Sequence, residues 1–334
     1  MIKMQRRHFL NTFIGSLIAT KHLFSFEKQR SLPGNEILYS RDTTDILVKV
    51  LGTAQDGGIP QIGCYCKNCL LARKNPQYSR LISSLAILDL KEKKYFLVDA
   101  TPEIPIQMDI AYEGLHPEKS GLKNAPQGIL LTHAHIGHYT GLMFFGYEAM
   151  ATWKLPVYCS PRMANFLSKN GPWSQLVHLE NISLIELPLD KKYSLTPQVS
   201  IIPLQVPHRD EFSDTLGFKI SGQERKLLYI PDIQSWEAWP RRIEEEVEKV
   251  DIALLDGTFF SPEEYPGRDL SQIGHPFIKK SMEVLREIPK KGETAIYFTH
   301  LNHSNLALNP ESEERKEVEE KGFRIASERM EFFL

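Results

Sequence analysis

From residue 45 onward the apolar positions fall into short runs, separated by Gly, Pro and polar clusters. Residues 45–52 alternate and are rich in β-branched side chains, the pattern of a half-buried strand. Residues 84–90 and 94–99 read as a hairpin pair. Residues 128–131 are short and wholly apolar, as in a strand buried on both faces. Further strand patterns lie at 182–187, 199–205, 216–221, 226–230, 252–255 and 295–299. Helical patterns lie at 67–74, 103–112, 161–170, 235–250, 277–288 and 310–321. Strand-rich halves bordered by helices predict an α/β fold, with two sheets packed face to face and helices covering both. A single domain over residues 44–334 accounts for the pattern, without an internal repeat or a low-complexity segment.

The first 26 residues read differently. Lys3, Arg6 and Arg7 give a positive start, and residues 9–20 are mostly apolar until Lys21 interrupts them. That stretch is too short to span a bilayer. Arg6-Arg7-His8-Phe9-Leu10 resembles the twin-arginine export signal. The expectation is an exported chain, periplasmic or held at the membrane by an uncleaved signal, with the twin-arginine export machinery as a partner. The alternative is an amphipathic tail with chance arginines. Residues 27–43 are polar, contain Pro33-Gly34, and look like a linker.

Composition changes the picture in two places. The net charge of −2 gives no electrostatic case for a nucleic-acid partner. Three of the four cysteines crowd into Cys64, Cys66 and Cys69. That spacing leaves an odd thiol and suits a metal better than a bridge. The fourth, Cys159, follows an apolar run and reads as a buried small residue.

The strongest chemical signal is His133-Ala134-His135-Ile136-Gly137-His138, directly after the 128–131 run and Thr132. Imidazole is the commonest borderline metal ligand, and a turn after a strand lets several converge on one point. His208, His275, His300 and His303 also sit at the ends of strand-like runs or in polar loops. The alternative is a surface histidine cluster without a metal.

These residues, with Gly141-Leu142, resemble the H-x-H-x-D-H motif of the metallo-β-lactamase fold superfamily. Asp99, His208, Asp232 and His300 follow the superfamily's other motifs in order, each at a strand end. The resemblance spans residues 45–334 and implies an αββα sandwich. It implies that His133, His135 and His208 hold one metal, that Asp232 bridges to a second, and that His138 and His300 belong to that second site. Zn2+, Mn2+ or Fe2+ would suit these donors. Cys64, Cys66 and Cys69 after a Gly-rich loop, with Arg80 and Ser83-Ser84 following, resemble the group of phosphonate-pathway cyclic phosphodiesterases and pyrroloquinoline quinone biosynthesis proteins B. His303 would complete a structural Zn2+ site there.

The chain departs from the motif at Gly137, where the superfamily has aspartate. The expectation is one tightly held active-site metal, or two of unequal affinity. Asp56 is a candidate replacement, although its neighbours Gly57 and Gly58 make a turn residue the simpler reading. Asp99 is expected to orient loop backbone. Asp256 would orient a ligand histidine or end a strand in a turn. His275 lies in the interval where phosphodiesterases of the superfamily protonate the leaving oxygen. It would do the same or cap the following helix; Asp232, through the metals it bridges, is the other expected catalytic residue.

A site of this kind makes metal-bound hydroxide available at neutral pH, so the expected activity is hydrolysis of an ester, most simply phosphodiester-like, in a small-molecule substrate. One alternative is an oxygen-using enzyme with a single iron on His133, His135, His208 and Asp232. Another is a non-catalytic protein of quinone-cofactor biosynthesis or carriage. A homodimer is compatible with each.

Overall fold

The computed structural model describes residues 44–113, 115, 124–264 and 274–334. The export segment and linker expected at residues 1–43 lie outside them. Among the described residues the strands are β1 (Ile46–Gly52), β2 (Ser84–Asp89), β3 (Lys94–Val98), β4 (Gly128–Leu130), β5 (Leu155–Cys159), β6 (Ile182–Glu186), β7 (Tyr193–Ser194), β8 (Ser200–Val206), β9 (Thr215–Ser221), β10 (Lys226–Ile230), β11 (Ile252–Asp256), β12 (Ala295–Thr299), β13 (Arg324–Ile325) and β14 (Glu331–Phe333). The helices are α1 (Lys67–Lys74), α2 (Ile104–Tyr112), α3 (Ile136–Tyr139), α4 (Pro161–Lys169), α5 (Trp173–His178), α6 (Ile243–Val247), α7 (Ile278–Val284), α8 (Ile288–Lys291) and α9 (Glu313–Glu320). Two seven-stranded sheets result, ordered β14-β1-β2-β3-β4-β5-β6 and β13-β12-β11-β10-β9-β8-β7.

Strand alternation builds three layers of core. In β1, Ile46, Val48 and Val50 point between the sheets and cluster with Phe218, Tyr229 and Leu254. Leu47 and Leu51 point the other way, into a layer with Ile104 and Ile110 of α2 and Met163 and Leu167 of α4. The second sheet's outer face carries Leu228, Leu255 and Phe298 against Ile278 and Met282 of α7 and Val318 of α9. Each such side chain contributes ~1.5–3 kcal/mol on burial, so both faces of both sheets are strongly specified. This is the expected αββα arrangement.

The helix expected over 235–250 is a correction. Only α6 is helical there. Pro240 removes a backbone donor and would clash inside a helix. Trp236 and Trp239 instead lie buried, their indole N–H groups donating to Ser281 Oγ and the Gln205 carbonyl, each at 2.8 Å. The helix expected over 277–288 likewise stops at Val284, and α8 follows as a separate turn.

Strand direction places the chemistry. β3 to β6 run parallel, as do β10 to β13. β1 and β8 are each two antiparallel steps away from these sets, so they point the same way. The loops after β1, β3, β4, β8, β10, β11 and β12 therefore open on one edge, where α/β sheets gather their ligand-binding residues. Asp99 and His300, at two of these strand ends, have left-handed φ of 69° and 60°. Such a backbone costs about 1–3 kcal/mol in a non-glycine residue, and persists only where the surroundings over-determine it.

Candidate metal centre

His133 and His135 follow β4, His208 follows β8 and Asp232 follows β10. Their donor atoms lie within 4.8 Å of one another. His133 Nε2 is 3.3 Å from Asp232 Oδ2, His208 Nε2 is 3.2 Å from Asp232 Oδ1, and His208 Nε2 is 3.3 Å from His135 Nδ1. Two nitrogens bound ~2.0–2.1 Å from one tetrahedral ion stand roughly 3.3–3.4 Å apart, so this spacing is that of a metal shell. A second group, His138, His300 and Asp232, shares the aspartate. His138 Nε2 faces His300 Nε2 at 3.3 Å, and His300 Nε2 is 3.8 Å from Asp232 Oδ2.

The outer nitrogens fix which inner nitrogens carry lone pairs. Thr132 Oγ1 donates to Asp99 and so accepts from His133 Nδ1 at 2.9 Å. His138 Nδ1 donates to Asp99 Oδ2 at 2.7 Å. Thr258 Oγ1 donates to Asp256 Oδ1 and accepts from His300 Nδ1 at 3.0 Å. His135 Nε2 donates to Glu211 Oε2 at 3.2 Å. In the neutral rings of His133, His135, His138 and His300 the inner nitrogen is then an acceptor, whereas the outer Nδ1 of His208 has no hydrogen-bond partner. Lone pairs facing one another and a carboxylate repel unless a cation lies between them. His133 Nε2 and Asp232 Oδ1 are also buried with no hydrogen-bond partner. Buried polar atoms of this kind call for a ligand. The residues present therefore fit divalent metal ions.

Charge supports the same reading. Burial lowers the basicity of His133, well below the ordinary histidine range, and of His135. Burial likewise pulls His300 down to about 4. Burial opposes ionisation of Asp232, but His275, His208 and His300 outweigh it and hold the carboxyl well below its usual range. Burial also acts against protonation of His138, yet Asp99 lifts it to about 9. The carboxylates around His138 thus favour a cation at that place, proton or metal.

His275 joins the site rather than capping the next helix. Its Nδ1 lies 2.9 Å from Asp256 Oδ2 and 3.2 Å from Asp232 Oδ1. α7 begins after Phe277 with no side-chain cap. Although burial works against it, Asp256 and Asp232 push His275 up to about 9. Asp256, His275 and His300 also converge within 4.8 Å. Their link through Thr258 Oγ1 makes this an orientation network rather than a third ion site. Asp99 orients loop backbone as expected, accepting from Thr132 N at 2.8 Å.

Cys64, Cys66, Cys69 and His303 form a separate group. The sulfurs of Cys64 and Cys66 each lie 3.4 Å from His303 Nδ1. With Zn–S of ~2.3 Å and Zn–N of ~2.0–2.1 Å, a tetrahedral ion requires about 3.5 Å. Burial pushes the Cys69 thiol up to about 12, and a hydrogen bond from Gln61 N opposes it. A bound dication would be needed to hold that sulfur as thiolate. Cys159 is fully buried in the core, away from this group.

Thr132, Thr258 and Glu211, which pin the outer nitrogens, carry no metal-ligand signature in the sequence. Only their position beside a motif histidine or a strand-end aspartate hinted at this role. Asp56 lies in a turn, as its glycine neighbours suggested, with Gly58 N donating to the Gln55 carbonyl at 2.8 Å, and its carboxylate also accepts from Gly137 N at 2.9 Å.

The fold and these donor groups define a metallo-β-lactamase-type protein. The chain matches the beta-lactamase superfamily domain over residues 94–301 and belongs to that family. It is 27% identical over 315 residues to coenzyme PQQ synthesis protein B of Methylococcus capsulatus, covering 86% of this chain and 100% of that one. It is 28% identical over 313 residues to the protein of the same name from Cupriavidus necator, covering 86% and 99%. Zn(2+)-bound PqqB from Methylobacterium extorquens has the same fold, with a TM-score of 0.72 at 23% identity over 86% of this chain and 100% of that one. A diphosphatase of the PhnP family follows, with a TM-score of 0.62 at 20% identity over 86% and 97%.

Proposed function

We propose that this chain is a metal-dependent hydrolase of a small phosphodiester-like ester. The observation that carries this reading is the convergence of imidazole nitrogens on one another and on Asp232, at spacings of 3.2–3.8 Å. Bound divalent ions would lower the pKa of water and polarise the ester oxygen. Zinc suits the imidazole–carboxylate donors and is bound by the PqqB neighbour; Mn2+ and Fe2+ suit them as well.

The chain's own groups account for the rest. Asp232 faces both donor groups and would hold the ions together. Asp99, Thr132, Asp256 and Thr258 keep the ligand rings in one tautomer and one orientation. The carboxylates of Asp256 and Asp232, both facing Nδ1, favour the protonated form of His275. With Nδ1 held by Asp256, the proton free for transfer is the one on Nε2, and it would go to the leaving oxygen. A second reading, a step in quinone-cofactor assembly, is favoured by the likeness to the coenzyme PQQ synthesis proteins over 86% of the chain.

Turnover of bis(4-nitrophenyl) phosphate and of a cyclic phosphodiester with an alkoxide leaving group, by protein of measured metal content, tests the first reading. A chelator should abolish both activities, and zinc or manganese should restore them. His275→Gln should lower kcat about 10²–10⁴-fold on the alkoxide substrate. The loss should be much smaller on the nitrophenyl ester, whose leaving group departs unprotonated. Fully metallated protein that turns over neither ester would favour the cofactor-assembly reading instead.

A further inference from the structure

We infer that Asp56 supplies, from a separate loop, the carboxylate missing at Gly137, and is the further metal donor of the group formed by His138, His300 and Asp232. The inference depends on reading that group as a metal site.

Three observations bring Asp56 there. Its Oδ1 lies 3.7 Å from His138 Nε2, the nitrogen whose lone pair faces His300. The same oxygen accepts from Gly137 N at 2.9 Å, which fixes the carboxylate beside the histidine motif. A Cβ built on Gly137 would stand 2.3 Å from Asp56 Oδ1 and 2.7 Å from Asp56 Cα. Side chains at the two positions therefore exclude one another. The space from which an aspartate at position 137 would approach the metal is already occupied by Asp56. Gly137 has no left-handed φ to explain its glycine; the approach of Asp56 does.

The loop carrying Asp56 is built to hold it. Gln55 N donates to the Leu301 carbonyl at 3.0 Å, and Leu301 N donates to the Thr53 carbonyl at 2.8 Å. Asp56 is thereby tied to the residue that follows His300. Gly58, at a φ of 63°, turns the chain back towards Gln55, whose carbonyl accepts from Gly58 N at 2.8 Å. Asp56 stands just outside the tight grouping of His138, Asp232 and His300. Its side chain is 24% exposed, and only Oδ1 is engaged by Gly137 N, so Oδ2 is available to an ion. Electrostatics favours this contact. Without Asp56, one carboxylate would face two dications; a second anionic oxygen relieves their repulsion and suits a hard or borderline metal.

The test is zinc content and affinity, which need no substrate. Metal-free full-length protein is titrated with Zn2+ against a chromophoric chelator, and the bound metal is counted by mass spectrometry. The wild type should take up one ion for the cysteine group and one for each histidine group. Asp56→Asn is isosteric and retains an oxygen for Gly137 N. It should weaken one active-site ion by at least about tenfold, leaving the other two and the circular dichroism spectrum unchanged. Gly137→Ala, which displaces Asp56 without removing it, should weaken the same ion. If the wild type binds two active-site ions and both variants bind them with unchanged affinity, the assignment of Asp56 fails while the metal-site reading stands. If the wild type binds no active-site metal, both fail.

Discussion

Thr132 and Thr258 play the same part at two places in the site. Each hydroxyl stands between a buried carboxylate and an imidazole, donating to Asp99 or Asp256 and accepting from His133 or His300. A hydroxyl can pass directionality along a chain in this way because it both donates and accepts. Asp99 gathers the most, taking hydrogen bonds from Thr132 N, Thr132 Oγ1 and His138 Nδ1. Asp99→Asn removes the charge behind His138 and offers its Nδ1 a donor as readily as an acceptor. The affinity of the His138 group for zinc should then fall about 10–100-fold. The cysteine group should keep its ion, and competitive zinc titration reads both. The metal-ligand types were legible in the sequence because the histidines are close-spaced and end apolar runs. The tautomer-setting threonines were not, since no local pattern tells such a threonine from any other.

At the scale of elements, one pair of loops serves both kinds of metal group. The segment after β12 presents His300 to the active site and His303 to the cysteines. The loop after β1 presents Asp56 to the active site and continues to Cys64. Asn68 of α1 donates to the carbonyls of His303 and Asn305, at 3.0 and 3.1 Å. Asn305 in turn donates to the Gly257 carbonyl at 2.7 Å. A metal in the cysteine group would therefore brace the walls of the other site. Cys66→Ser should remove one equivalent of zinc and lower thermal stability, because metal-binding energy here is folding energy. A loss of ~3 kcal/mol would move Tm down by roughly 5 °C in a domain of this size. Calorimetry beside metal analysis checks this; an unchanged Tm with undiminished zinc would remove the structural role. The cysteine spacing announced this group in the sequence. The break at Pro240 was also present in the sequence, but the charge-rich periodicity around it masked it.

For the whole molecule, the two sheets turn equivalent edges to the same place, so donors more than 150 residues apart, such as His138 and His300, meet at 3.3 Å. A site assembled in this way exists only in the folded chain. The proposed twin-arginine signal agrees with it, since that route would allow metal to be loaded before export. Replacing Arg6 and Arg7 with lysine should hold the protein in the cytoplasm. Fractionation with activity-independent detection decides it, and an unaltered distribution would rule the signal out.

The sequence by itself determined the fold class, through alternation in β1 and short apolar runs such as that of β10. It also determined the donor chemistry, through the spacing of His133, His135 and His138 and of Cys64, Cys66 and Cys69. Both rest on short-range periodicity, which follows directly from strand and turn geometry. Tertiary structure alone decided that His275 faces Asp256 and Asp232 instead of capping α7. It alone brought Asp56 against Gly137 across 81 positions of chain. Those relations depend on which strand ends share an edge, a property of sheet order that local pattern does not encode.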